Sequence, residues 1–135
     1  MENILGTKLA DRYLIEELVG VGGMCNVYRA FDAEALRTVA VKMLRDEYAA
    51  DEEYLRRFRN ESRAINALSH PNIVSVYDVS HSDDVEYIVM ELIDGITLKQ
   101  YLQKKSVLDP SEVLDFTIQT AKALEHAHSK GIIHR

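Results

Sequence analysis

The sequence predicts an α+β chain in which a five-stranded antiparallel sheet with one helix precedes a mostly helical segment. Three observations indicate this. Apolar residues alternate in the first 44 residues, the apolar period becomes helical over residues 51–68, and a strong helix start lies near Pro110. With 135 residues, 47% of them hydrophobic, the chain has the size of one domain, or of one small lobe plus part of another.

Five runs of alternating or β-branched residues predict the strands. The runs are residues 11–19, 25–31, 38–44, 73–79 and 85–93. Glycines separate the first two runs, and a polar segment at 80–84 separates the last two. Asp83 and Asp84 in that segment are expected to be solvated in a hairpin.

The first helix is predicted over residues 51–68, because Leu55, Phe58, Ile65 and Leu68 fall three, four or seven residues apart on one face. Asp51 can cap its start, and Pro71 lies beyond its end.

Two further helices are predicted. A short one covers residues 97–103. A longer one begins with Asp109 as N-cap, Pro110 at the first position and Glu112 at the third, and it ends near Ser129, before Gly131.

Composition excludes several classes of function. The net charge of −6 argues against sequence-independent nucleic-acid binding, which needs a basic face. The single cysteine, Cys25, excludes an internal disulfide and suits a reducing compartment. No secretory signal is visible after Met1, and the apolar stretch 87–93 is broken by Glu91 and too short to span a bilayer. We therefore expect a cytoplasmic location and no membrane segment.

A glycine-rich turn, Gly20-Val21-Gly22-Gly23-Met24, lies between two predicted strands. This context disfavours a dinucleotide-binding turn, whose glycines open a helix. Backbone amides in such a hairpin can approach phosphate oxygens closely. Taken alone, the turn is more simply interpreted as a flexible hairpin.

Lys42 strengthens the phosphate hypothesis. In an alternating strand, Ala40 and Lys42 share one face while Val39, Val41 and Met43 share the other. The first face thus offers a small residue that lets a flat ring lie close, followed by an ammonium group. The alternative is an ordinary surface lysine.

Glu61 lies on or beside the inward-facing stripe of the first helix, between Phe58 and Ile65. A buried carboxylate without a partner is costly, and Lys42 on the facing strand is the obvious partner. In isolation, a glutamate that reaches solvent from the edge of the stripe is an equally good interpretation.

Together these features resemble the protein kinase family, which has a glycine-rich loop, a lysine in a Val-Ala-Val-Lys strand and a glutamate in helix C. The resemblance covers residues 9–135 in the family's order. It continues through H-P-N-I-V at 70–74, through Y-I-V-M-E-L-I-D-G-I-T-L at 87–98 and through G-I-I-H-R at 131–135. The strings D-R-Y-L-I-E-E-L, V-G-V-G-G-M and V-A-V-K-M-L-R-D-E-Y are similar to bacterial receptor-type Ser/Thr kinases of the PASTA family.

The resemblance implies the kinase fold: an N-lobe with hinge at residues 1–93, and helices D and E of an incomplete C-lobe at 94–135. It implies that Lys42 holds the α- and β-phosphates of ATP and that Glu61 fixes Lys42 by an ion pair. The loop glycines that would fold over the phosphates are Gly20, Gly22 and Gly23. Cys25 stands where many kinases have a further loop glycine; a redox-sensitive thiol there is less favoured than a small tolerated residue.

The adenine pocket implied by the resemblance is built by the sheet and the hinge. Its members are Val19, Val27 and Ala40 as the roof, Met90 as the gatekeeper, and the Glu91 carbonyl and Ile93 amide at the adenine edge. Ile65 and Val76 would join the hydrophobic spine behind it, and His134 would open the His-Arg-Asp motif.

The sequence as given ends at Arg135, before the family's general-base Asp, its metal-binding Asn and its Asp-Phe-Gly motif. The ligands of Mg²⁺ in the full-length parent are therefore not among these residues. Since positioning and charge neutralisation supply nearly all kinase catalysis, we expect no measurable phosphotransfer from these residues alone. Autophosphorylation at the level of an intact kinase would contradict this.

The resemblance further implies a parent enzyme that transfers the ATP γ-phosphoryl group to protein Ser or Thr. It also implies that a later helix anchors this parent in the membrane, with the kinase domain inside the cell. We also expect self-association through helix E or the N-lobe, since the last helix is apolar on several sides. Two alternatives stay open: a non-catalytic nucleotide-binding or kinase-interaction module, and an interaction domain without nucleotide binding. Intact Lys42 and Glu61 argue against the latter.

His126 and His128 do not suggest a metal site, because residues two apart on a helix do not face each other. The charged residues at the start of the first helix are expected to form ion pairs along its face.

Overall fold

A computed structural model describes residues 4–82 and 85–134. The predicted solvated hairpin residues Asp83 and Asp84, and Arg135, lie outside the described residues. The ten elements follow in chain order: β1 Lys8–Leu9, β2 Tyr13–Val21, β3 Cys25–Asp32, β4 Arg37–Leu44, α1 Asp46–Ala49, α2 Glu52–Asn66, β5 Val76–Ser82, β6 Val85–Met90, α3 Leu98–Lys105 and α4 Pro110–Ser129.

The chain divides into two compact units. The first contains the described residues up to Ala67 together with those of Ser75–Leu92, and so holds the whole sheet, α1 and α2. The second contains Leu68–Val74 and the described residues from Ile93 onward, with α3 and α4.

The predicted antiparallel sheet is confirmed, with a sixth short strand in front of it. The strand order is β1-β2-β3-β4-β6-β5, and every pair is antiparallel. The prediction missed β1 and began the next strand at Asp11. Ala10 and Asp11 have φ values of 52° and 54°, which turn the chain and delay β2 to Tyr13.

Alternation along the strands produces one core on each face of the sheet. The larger core is built mainly by β2, β3, β4 and β6 and contains Tyr13, Ile15, Tyr28, Ala30, Val39, Val41, Met43, Tyr87 and Val89. The smaller core lies under α2, where Cys25, Leu44, Phe58 and Ile88 are buried together. Val39, Val41 and Met43 thus share one face, as predicted.

Of the two later strands, β5 is shifted by three residues from its prediction and β6 is three residues shorter. Strand β5 begins at Val76 instead of Ile73, because the backbone N–H of Asn72 donates to Nδ1 of His70 (3.1 Å) and that of Ile73 to the His70 carbonyl (3.0 Å), which forms a turn. Strand β6 ends at Met90.

Helix α2 begins where the sequence predicts, with the Asp51 carboxylate accepting from the Glu53 N–H at 2.8 Å. Its buried side differs from the prediction. Phe58 and Ser62 are buried and Leu55 is partly buried, whereas Ile65 is 39% exposed. Ile65 therefore does not lie in the buried stripe, and of the two expected spine residues only Val76 packs against the smaller core.

In the second unit, α4 has the predicted start, with Glu112 accepting from the Asp109 N–H at 2.9 Å. The rings of Tyr101 and Phe116 meet edge to face, with centroids 6.0 Å apart. His126 packs against His70 (5.2 Å between centroids), while His128 is exposed. No helix in the described part of the chain is both long and apolar enough to cross a bilayer.

Candidate functional site

The sheet brings four of the predicted site residues to one surface of the first unit. Residues directly opposite each other in an antiparallel pair point to the same face. Val27 is opposite Lys42, and Ala40 is opposite Met90. All four therefore lie on one face of the sheet. We call it the α2 face, because Ile88 of β6, which is paired with Lys42 and shares its face, packs under α2.

The chemical character of the α2 face changes along β4. Ala40 is 5% exposed and has no side chain beyond Cβ, so it leaves flat apolar space beside Met90. Two residues further, Lys42 is partly buried and places an ammonium group on the same face. An apolar ring followed by an anionic tail would match this order along the strand.

The glycine hairpin borders the lysine end of this surface. Gly20 is opposite Val27, and the Gly22 N–H donates to the Cys25 carbonyl at 2.8 Å. A Cβ added at Gly22 would lie 3.1 Å from that same carbonyl oxygen, which is tighter than ordinary contact, whereas a Cβ at Gly23 would meet nothing within 4 Å. A side chain at Gly22 therefore needs the Cys25 carbonyl to shift by a few tenths of an ångström.

Arg45 holds the tip of the hairpin from the end of β4. Its N–H donates to the Met24 carbonyl at 2.9 Å, and its guanidinium donates to the Gly23 carbonyl at 3.1 Å. Sequence reasoning did not identify Arg45. The signal that could have suggested a role for Arg45 is its position directly after β4, the strand that carries Lys42. Val19, by contrast, lies beside a register irregularity of β2 and is 47% exposed.

Cys25 lies at the edge of the α2 face and is 6% exposed. Burial raises the pKa of its thiol, the nearby Lys42 charge lowers that pKa, and the Glu61 charge raises it. A buried thiol with a raised pKa is a poor nucleophile, which favours a packing role over a redox one.

Glu61 does not make the predicted contact. Its side chain is exposed, and across the part of the chain that the structure describes no ion pair within 4.0 Å joins it to Lys42. The physical reason is the rotation of α2, whose buried line passes through Leu55, Phe58 and Ser62 and leaves Glu61 at its edge. Glu61 was expected either to pair with Lys42 or to reach solvent from the edge of the stripe, and in the structure it reaches solvent.

Glu91, which is predicted to contact the adenine edge through its carbonyl, directly follows β6. The Glu91 N–H donates to the Ser75 carbonyl (2.9 Å), and its carboxylate accepts from the Ser75 N–H (3.2 Å). Among the described residues, no hydrogen bond is made to the Glu91 carbonyl, which leaves this acceptor available. Ile93 belongs to the second unit, and its contact with adenine stays a prediction.

No metal position is evident beside these groups. Across residues 4–82 and 85–134, no three or more His, Cys, Asp or Glu side chains are grouped so that they could hold a metal ion.

Known proteins resemble this chain over most of its length. A family model described as the protein kinase domain matches residues 13–135. Serine/threonine-protein kinase PrkC of Bacillus subtilis is 46% identical over 132 residues, which cover 98% of this chain and 20% of that protein. Probable serine/threonine-protein kinase PknB of Lactococcus lactis is 43% identical over 97% of this chain and 21% of that protein.

Solved structures give the same result for the fold. The crystal structure of the Mycobacterium tuberculosis PknI kinase domain matches 96% of this chain with a TM-score of 0.83 and 33% identity. The match covers 53% of that kinase-domain chain. The chain thus spans about half of the solved kinase domain and about a fifth of the curated relatives.

Proposed function

The chain belongs to the protein kinase family, and on that premise we propose that its first unit is the ATP-binding portion of a bacterial serine/threonine kinase. The observation that carries the proposal is the shared face of Val27, Ala40, Lys42 and Met90 beside the glycine hairpin. The adenine ring would lie against Val27 and Ala40, close to Met90. Its phosphates would extend toward Lys42 and the hairpin amides, where charge-assisted hydrogen bonds are strongest.

The chemistry of the parent protein belongs to the same proposal. It would transfer the γ-phosphoryl group of ATP to Ser or Thr of protein substrates; the two relatives named above are serine/threonine-protein kinases. The family's Mg²⁺ ligands and general base are not among the residues of this sequence. A cytoplasmic site of action is proposed as well, because Cys25 is a free thiol and ATP is the cytoplasmic phosphoryl donor.

Calorimetric titration of the chain with ADP, ATP, AMP and tripolyphosphate, with and without Mg²⁺, tests nucleotide binding. We expect ADP and ATP to bind more tightly than AMP, because Lys42 and the hairpin contact phosphates, and Mg²⁺ to have a weak effect. Tripolyphosphate alone should bind weakly, because it lacks the ring. A folded chain that binds no nucleotide would contradict the proposal.

A non-catalytic nucleotide-binding module is the second candidate, and the position of Glu61 favours it. Without the Lys42–Glu61 contact, the lysine is held less firmly for phosphoryl transfer. Nucleotide binding by both this chain and its parent, with transfer by neither, would support this candidate.

The hairpin glycines differ in their expected importance. Gly22→Ala is expected to weaken ADP binding several-fold, because its Cβ must displace the Cys25 carbonyl by some tenths of an ångström. Gly23→Ala is the matched control and should leave the affinity nearly unchanged, since its Cβ meets nothing within 4 Å. Equal losses in both variants, measured by the same titration, would contradict the assigned role of Gly22.

Self-association through α4 is also proposed. Three apolar side chains of this helix, Val113, Leu114 and Ile118, are 47%, 62% and 50% exposed. Together they form an apolar surface that a second chain could cover. Size-exclusion chromatography with light scattering should show a species larger than a monomer, which Leu114→Glu should reduce. A monomer at every accessible concentration would contradict this.

A further inference from the structure

Helix α2 is attached to the sheet through a carboxylate that sequence reasoning did not identify. Glu86 in β6 is 4% exposed. It accepts a hydrogen bond from the Arg59 guanidinium of α2, and its same oxygen lies 2.9 Å from Nδ1 of His81 in the neighbouring strand. These interactions lower the pKa of Glu86, with the Arg59 hydrogen bond as the largest cause. Glu86 is therefore a buried anion, and Arg59 is its partner from the helix.

Arg59 and Glu61 occupy opposite sides of α2. At about 100° per residue, two residues are separated by about 200° around a helix. The buried line of α2 through Leu55, Phe58 and Ser62 lies between them. A rotation of α2 about its own axis that moves Glu61 toward the sheet therefore moves Arg59 away from it.

We propose that Arg59 and Glu86 are positioning residues that hold α2 in a rotation in which Glu61 does not reach Lys42. In the structure one of the two ion pairs, Arg59–Glu86, is formed and the other, Lys42–Glu61, is not. The helix exchanges one contact for the other by rotation. We call the Arg59–Glu86 pair a latch, because it stabilises the rotation of α2 in which Lys42 has no ion pair with Glu61.

Helix α2 packs on the face of the sheet that carries Lys42. Phe58 of α2 is buried in one core with Cys25, Leu44 and Ile88, and Ile88 is directly opposite Lys42. The charges of both Lys42 and Glu61 also act on the Cys25 thiol, in opposite directions.

The latch can be tested without nucleotide, by carbodiimide labelling of carboxylates followed by mass spectrometry. In the unmodified chain, Glu61 should label readily, like the exposed Glu52 of the same helix. In Arg59→Met, labelling of Glu61 should fall several-fold relative to Glu52, because Glu61 moves to Lys42. Arg63→Met removes an exposed arginine one turn further along α2 and is the matched control, with no change expected.

Two further variants keep the test decisive if Arg59→Met, which leaves a buried carboxylate without its partner, fails to fold. Glu86→Gln removes the charge without leaving it unpaired and should protect Glu61 in the same way. The exchange Arg59→Glu with Glu86→Arg restores the pair in reverse and should return Glu61 labelling to that of the unmodified chain. Unchanged Glu61 labelling in folded Arg59→Met or Glu86→Gln would overturn the proposal.

The consequence for affinity rests on the proposed function. If the α2 face binds nucleotide, Arg59→Met should tighten ADP binding, and Glu61→Gln in the same chain should cancel the gain. Tightening that persists in the double variant would overturn the role given to Glu61. Failure of every variant to bind ADP would overturn the proposed function, while the labelling result would still decide the latch.

Discussion

Replacing Met43 with alanine is expected to lower the free energy of unfolding by about 2–5 kcal/mol. The Met43 side chain is fully buried in the larger core, on the face of β4 opposite Lys42. Its truncation removes apolar contacts and leaves a cavity that the surrounding strands fill only in part. Urea unfolding followed by circular dichroism measures the change.

Met24→Ala is the matched control, since it makes the same chemical change at a side chain that is 42% exposed in the glycine hairpin. Its effect should stay within about 0.5 kcal/mol, the usual range for surface positions. Similar losses in the two variants would show that the larger core is not packed around β4 as described.

Replacing Lys42 with methionine is expected to weaken ADP binding by about 10- to 150-fold. The estimate corresponds to about 1.5–3 kcal/mol for a hydrogen bond to a charged group, at about 1.4 kcal/mol per tenfold change in affinity. Stability should change little, because Lys42 is partly buried and the methionine keeps most of its apolar length.

Calorimetric titration measures this loss, and Lys99→Met serves as its control. Lys99 is an exposed lysine of α3, so its replacement removes the same charge outside the proposed site. An ADP affinity that is unchanged in Lys42→Met, or reduced equally in both variants, would show that Lys42 is not the phosphate contact.

Much of the fold was predictable because its signals are local. Alternation placed Val39, Val41 and Met43 in the core and Lys42 on the opposite face. The start of α4 was predictable from Asp109, since its cap is formed within four residues. By contrast, β1 pairs over only two residues, too few for a periodic pattern.

The candidate site was predictable where it depends on strands and not where it depends on a helix rotation. Strand register follows from alternation, so the face that carries Val27, Ala40 and Lys42 was expected. The rotation of α2 depends on a contact between Arg59 and Glu86, which are 27 residues apart in the chain. Spacing within the helix cannot reveal such a contact. A glutamate at an inward-facing strand position, which requires a cationic partner, was the available signal.

The most direct test of the central claim, that nucleotide binds on the α2 face, is a titration of the isotopically labelled chain with ADP followed by NMR chemical shifts of backbone amides. We expect the largest changes at Gly20, Gly22, Val27, Ala40 and Met90. Changes confined to α3 and α4, or none in a folded chain at saturating ADP, would contradict the claim.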